Sequence, residues 1–177
     1  NNQNQIVDLE NILYTNIINA SWIDDSRFVL VGHINPSLNV YVVVDAKSDK
    51  ITGEYYGLGF TWNKNKNKLY YIQTSPYFSS VQESDKIVDN NNNVYYEAAP
   101  GTTMADKLSV SEDEKTFAFF VNDDSKEQRK LYITKLNNNN KLEKQSEIDA
   151  PVGDIKINNN KIDVVDPNGA TTNYKLN

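Results

Sequence analysis

Cysteine is absent from this 177-residue chain, and with it disulfides, a thiol nucleophile and any thiolate metal site. One histidine, His33, excludes paired-His metal sites and makes any His-based triad depend on that residue alone. Glycine is scarce, and neither a Gly-rich phosphate loop nor a Gly-x-Ser-x-Gly elbow occurs. The longest apolar run, Val40 to Val44, is far too short to span a bilayer. Apolar stripes with the 3.6-residue helical period are missing too.

Positive charge is in deficit. The 18 basic and 24 acidic residues give a net charge of −6 and a pI near 4.8, which repels nucleic acid and anionic membranes. At this length one domain is expected over residues 1–177, burying roughly two thirds of its unfolded surface. The chain opens on the polar stretch NNQNQ without an initiator Met. Such an opening suits a chain from which a signal or lipid tether has been removed. Asn- and Lys-rich usage with little Ala or Gly points to an AT-rich bacterial genome. Together these give the expectation of an extracellular or cell-surface lipoprotein of a Gram-positive bacterium. Its partners would be protein, peptide or glycan, with the membrane reached only through the removed anchor, and the protein itself a monomer or homodimer.

What the sequence does contain is a repeat. SWIDDSRFVLVGH from Ser21, FTWNKNKNKLYYIQT from Phe60, LSVSEDEKTFAFFVND from Leu108 and DIKINNNKIDVVD from Asp154 align. In each, an apolar anchor (Trp22, Trp62, Val110, Ile157) precedes a polar turn and then a β-rich run. The anchors are 40, 48 and 47 residues apart, the period of propeller blades. Runs rich in Val, Ile, Tyr, Phe and Thr between Asn, Asp, Lys and Ser clusters read as a meander of short strands. They fall near 16–23, 27–34, 39–46 and 51–57, then 58–63, 68–74, 85–90 and 93–99. A third set falls near 105–111, 116–122, 130–137 and 142–148, and a shorter fourth near 152–158, 161–166 and 170–176. The repeats therefore span about 16–57, 58–99, 105–148 and 152–177.

VYVVV, KLYYI and TFAFFV are nearly continuous apolar runs, and successive residues on a strand face opposite ways, so both faces must be covered. Stacked blades provide that cover, and the pairs Tyr55/Tyr56, Tyr70/Tyr71 and Tyr95/Tyr96 are expected to place one ring toward either neighbour. The fourth repeat lacks an outer strand, while Gln5 to Tyr14 (QIVDLENILY) is unassigned. Pairing the two would close the ring and remove exposed edges. The expected fold class is all-β, a small four-bladed β-propeller closed by an N-terminal strand, with an incomplete propeller or open β-stack as the alternative.

The third repeat, LSVSEDEKTFAFFVND followed by KLYITKLN, resembles the WD40-like repeat of TolB-type propellers, which carry a Ser-Pro-Asp-Gly-Lys turn and then a Leu-Tyr pair. The first repeat, with Trp22, Asp25 and Arg27, is similar. No repeat has the Pro-Asp-Gly core of that turn. The resemblance implies a fold and no activity, and points toward a family of clostridial lipoproteins.

In such a fold the b–c and d–a connections share one rim and the a–b and c–d turns the other. The second set consists of monotonous Asn and Lys strings, whereas the first is varied, and varied loops on a regular scaffold are where function concentrates. The candidates for ligand binding on that rim are His33, Tyr77, Phe78, Glu83, Asp123 and Asp124. Tyr77 and Phe78 offer an aromatic contact for a peptide or glycan, or else fold back to plug the central channel. Asp24, Asp25, Glu112 and Asp113 read as turn formers. Calcium is the one cofactor left open, with Asp123 and Asp124 the better candidates, although no loop matches a calcium-binding pattern. The functional expectation is a non-catalytic extracellular binding or scaffold module. The alternative is a hydrolase or lyase acting on a surface glycan or peptide, with rim carboxylates such as Glu83 or Asp124 as acid and base.

Overall fold

The computed structural model describes residues 16–34, 38–63, 65, 67–75, 83–123, 125–158 and 161–176. They form two compact units, the first reaching Gly57 and the second beginning at Leu58. Every strand pairing is antiparallel and joins strands adjacent in chain order, and no helix is present among the described residues.

Unit 1 holds β1 (Asn16–Trp22), β2 (Arg27–Ile34), β3 (Leu38–Asp45) and the first part of β4 (Lys50–Asn63). Val40, Val42 and Val44 of β3 form its cluster, with Phe28, Leu30 and Ile34 packed on them. Tyr41 and Val43, which point the other way, are buried as well, as a continuous apolar run requires. By contrast β1 is exposed along its whole length, and Tyr56 of β4 is also exposed, contrary to the covered position expected for its pair.

Sequence spacing predicts a break between residues 57 and 58; instead β4 runs unbroken. The sequence Gly57-Leu58-Gly59 contains no Asn or Asp to make a turn, so the strand persists and changes partner through a bulge between Leu58 and Thr61. Gly59 sits there at φ 58°. A Cβ at that position would also lie 3.1 Å from Ile72 Cδ1 and 3.2 Å from Leu108 Cβ, a tight fit, so both backbone and packing favour glycine there.

Unit 2 continues with β5 (Lys68–Gln73), β6 (Lys86–Asp89) and β7 (Val94–Glu97) beside the second part of β4. A four-stranded meander comes next: β8 (Thr102–Val110), β9 (Thr116–Asp123), β10 (Gln128–Leu136) and β11 (Leu142–Ile148). The last is a three-stranded sheet of β12 (Asp154–Asn158), β13 (Lys161–Val165) and β14 (Thr171–Lys175). Strand β9 shows how the layers join. Phe117, Phe119 and Val121 enter a cluster with Tyr70, Ile72, Ile87 and Tyr95. The alternate residues Ala118 and Phe120 enter another, with Leu131, Ile133, Ile162 and Val164. The two-residue period of a strand thus makes TFAFFV the middle of a stack of three sheets.

The strands lie within a few residues of their expected positions, but no sheet closes on itself among the described residues. The all-β antiparallel architecture is therefore observed without the closed four-blade ring. The segment Gln5 to Tyr14, expected to complete that ring, lies outside the described residues.

Three hairpin turns share one construction. Asp89, Asn137 and Asp166 each accept, through Oδ1, the amides two and four residues ahead at 2.8–3.0 Å. The third residue ahead, Asn92, Asn140 or Gly169, has φ of 62°, 57° or 85°. Asn and Gly tolerate that left-handed backbone best, which explains the Asn strings.

Candidate functional site

Strand β2 ends near His33, whose Nδ1 lies 3.0 Å from Asn39 Oδ1 on the paired strand. In unit 2, Glu83 donates its amide to Ser75 Oγ at 2.9 Å, and its exposed carboxylate lies 3.8 Å from Lys86 Nζ. Asp123 accepts from Lys126 Nζ and Ser125 Oγ, both at 2.6 Å. These bonds, Lys126 first, lower its pKa to about 2. Tyr77, Phe78 and Asp124 lie outside the described residues. Among the described residues no hydrogen bond or ion pair joins Glu83 to Asp123, and no three His, Cys, Asp or Glu side chains gather as a metal site. Asp24 and Asp113 close their own turns onto Ser26, Arg27 and Lys115.

A formed cleft lies at the opposite ends of the strands, among the Asn- and Lys-rich turns. Its volume is about 470 Å³, within the roughly 300–1,000 Å³ of small-molecule sites. Lys68 and Tyr70 reach it from β5, Asn93 and Tyr95 from the β6–β7 hairpin, Glu114 from the β8–β9 turn, and Asn140 and Lys141 from the β10–β11 turn. Lys68 and Tyr70 are two apart on one strand and so share a face, as do Asn93 and Tyr95.

A polar network holds the cleft's floor. Tyr95 Oη donates to Asp89 Oδ2 at 2.8 Å and accepts from Lys68 Nζ at 2.7 Å. Lys68 Nζ also lies 3.3 Å from Asp89 Oδ2 and about 5 Å above both the Tyr70 and Tyr95 rings, within cation–π range. Asn93 Nδ2 and its backbone amide donate to the same carboxylate. Lys141 Nζ reaches across to the Val94 carbonyl at 2.8 Å. Tyr70 is fully buried, and its hydroxyl has no hydrogen-bond partner among the described residues.

The ionisation states come from this network. Burial works to raise the Asp89 pKa, but the bonds from Asn93, Tyr95 and Asn91 outweigh it and hold the value below the ordinary one. Burial likewise opposes the Lys68 charge, yet the neighbouring Tyr95 and Tyr70 phenols prevail and its pKa stands above the usual lysine value. Burial pushes the Tyr70 and Tyr95 phenols up, against the pull of Lys68. At neutral pH the floor is therefore an ammonium, a carboxylate and two neutral phenols, with no group poised near neutrality for proton transfer.

By sequence alone these turns are plain connectors. The signal for the cleft is nonetheless present in KLYYI and DNNNNVYY: a strand opening on Lys with Tyr two residues on, facing a hairpin with Asn and Tyr at the same spacing.

No protein-family model matches the chain, and no curated protein matches it. Among solved structures it is similar to prolyl oligopeptidase B from Galerina marginata bound to a 35mer hydrolysis and macrocyclization substrate, with a TM-score of 0.55 and 12% identity over 87% of this chain. The same enzyme bound to a 25mer macrocyclization substrate gives a TM-score of 0.54 at 12% identity, again over 87% of this chain. This chain spans about a quarter of that protein's length, 27% and 26% in the two structures. The neighbour has a β-propeller domain, and at such identity the likeness concerns fold alone.

Proposed function

We propose that this chain is a non-catalytic binding or scaffold module of the β-propeller type, with TolB-like repeats, displayed outside the cell. The observation that carries this reading is the stack of sequential meanders in unit 2, with β9 buried on both faces by its two neighbouring sheets. The structural neighbour supports the same architecture. The hydrolase alternative rests on Glu83 or Asp124. Glu83 lies 3.8 Å from Lys86 Nζ and Asp124 lies outside the described residues, so binding is the reading preferred, and it needs no pair of facing carboxylates of the kind glycosidic chemistry uses. The ligand surface is a loop face. His33, Tyr77, Phe78, Glu83, Asp123 and Asp124 belong to the varied connections of the sequence, while the formed cleft lies among the regular turns.

A thermal-shift screen with divalent cations, cell-wall glycans and short peptides tests the reading, since a ligand of the native state raises the midpoint by mass action. At least one class is expected to raise it. Were none to do so, and were alanine at Tyr77 and Phe78 only to lower stability, the binding reading would fail.

A further inference from the structure

We propose that the cleft of unit 2 is a binding site for a neutral, hydroxyl-rich ligand of saccharide type, held by Lys68, Tyr70, Asn93, Glu114, Asn140 and Lys141. The proposal rests on the binding-module reading and gives it a site and a ligand class.

Charge decides the class first. Lys68 is neutralised by Asp89 at 3.3 Å, and the remaining ionic groups among the described lining residues, Glu114 and Lys141, are one of each sign. The described lining carries no net charge to attract a phosphate, a carboxylate or an amine. An uncharged partner therefore binds without leaving an ion uncompensated.

Hydrogen-bonding capacity narrows it further. An ammonium has three donors, of which Lys68 directs one to Tyr95 and one toward Asp89. Lys141 uses one on Val94. Glu114, besides accepting from Asn63 at 3.3 Å, retains acceptor positions, and Asn140 adds an amide. Donors and acceptors thus alternate around the cleft, matching hydroxyls that both donate and accept. The lining is mostly polar, which disfavours lipid chains and other apolar ligands.

The Tyr70 hydroxyl is the pointed observation. Its side chain is fully buried and its oxygen completes no hydrogen bond among the described residues, although the Lys68 ammonium acts on it electrostatically, and a buried polar group without a partner costs about 1–3 kcal/mol. A ligand hydroxyl is the partner the site lacks. Among the described residues the other buried atom without a partner, Asp163 Oδ1, belongs to a carboxylate already engaged by Asn158 and Lys161.

The test is a titration of isotopically labelled protein with cellotetraose, chitotetraose and maltotetraose, with galacturonate and glucosamine as charged counterparts. At least one neutral oligosaccharide should move the side-chain amide resonances of Asn93 and Asn140 more than either charged sugar does. Tyr70→Phe should weaken that binding about tenfold without lowering the melting midpoint, because the hydroxyl it removes has no hydrogen-bond partner among the described residues. Asn140→Gly keeps the left-handed turn and should weaken binding by a similar factor. The proposal is overturned if the charged sugars bind better, if none of the neutral oligosaccharides perturbs the cleft, or if both variants bind as the native protein does. Perturbation confined to the varied connections overturns the cleft site but leaves the binding-module reading standing. Absence of any response, here and in the thermal-shift screen, removes both.

Discussion

Tyr95 Oη donates a 2.8 Å hydrogen bond to Asp89 Oδ2, placing a buried phenol on a carboxylate that has no contact with solvent. The same carboxylate shapes the β6–β7 turn through Asn91 and Asn93 and neutralises Lys68. Turn geometry and cleft electrostatics therefore depend on one residue.

Tyr95→Phe should isolate the hydroxyl. The ring keeps its packing against Tyr70 and Phe117, while Asp89 loses a donor and Lys68 an acceptor. Leaving buried polar groups unsatisfied costs about 1–3 kcal/mol, to be read from the urea midpoint at unchanged slope. A loss below about 0.5 kcal/mol, the low end for one net hydrogen bond, would show that the network does not stabilise the hairpin.

Asp89 also sets an acid limb. Its pKa is depressed in the folded state, so in the interval between the folded and the ordinary carboxylate value the unfolded chain binds more protons, and stability rises with pH. The contribution is fully present above the ordinary value and is lost as pH falls through the depressed one. Asp89→Asn retains a turn-forming side chain but removes the titration, so its stability should fall less steeply than that of the native protein as pH drops below the ordinary carboxylate value of about 4. At neutral pH the variant should be less stable, by under the roughly 3–5 kcal/mol of a fully buried pair, because Lys68 remains partly exposed. Parallel acid limbs would remove Asp89 from the account.

Strand positions were legible in the sequence because alternation and turn chemistry are local signals. VYVVV and TFAFFV announced two covered faces, and β3 and β9 have them. The unbroken β4 was not legible, since Gly57 and Gly59 resemble punctuation and only the packing of Gly59 against Ile72 and Leu108 shows a bulge instead. Tyr56 failed for a related reason: an outward ring and a covered ring look alike in a Tyr pair. The cleft was legible only in fragments: KLYYI and DNNNNVYY carry its Lys, Asn and Tyr at two-residue spacing, but Lys68, Tyr95 and Glu114 come from three separate hairpins, and nothing local to one hairpin shows that the three meet.

Burial raises the Tyr41 pKa to about 12. An unfolded phenol ionises near its model value of 10.0, so between about 10 and 12 the unfolded chain loses a proton that the folded chain keeps, and stability falls as pH rises. Spectrophotometric titration should show a late component to which Tyr70 and Tyr95 also contribute, and Tyr41→Phe should reduce it by one phenol. If the variant titrates with the native late component, the burial assigned to this ring is wrong.

Glu127 occupies the turn between β9 and β10 at φ 51°, a left-handed backbone that costs an ordinary L-residue about 1–2 kcal/mol. Glycine removes that strain and adds some unfolded-state entropy, for a net gain of roughly 0.5–1 kcal/mol. Glu127→Gly should accordingly raise the melting midpoint, whereas a valine there should lower it. A lowered midpoint for the glycine variant would contradict the turn geometry.

Gly153 requires smallness rather than backbone freedom. A Cβ placed on it would fall against the Val165 carbonyl oxygen and lie 2.6 Å from that carbonyl's carbon. Those atoms are backbone and cannot rotate away as a side chain can. Gly153→Ala must therefore push apart the connection entering β12 and the end of β13, where Asp154 pairs with Val165. Overpacking of this kind costs about 1–3 kcal/mol. The loss should appear as faster amide hydrogen exchange in β12, β13 and β14, which depend on the Asp154–Val165 register. Exchange in β5 and β6, on the far side of β9, should change only as far as global stability does. Uniform acceleration across all strands would mean that the three-stranded sheet is not a separately weakened layer, and that the three sheets open as one.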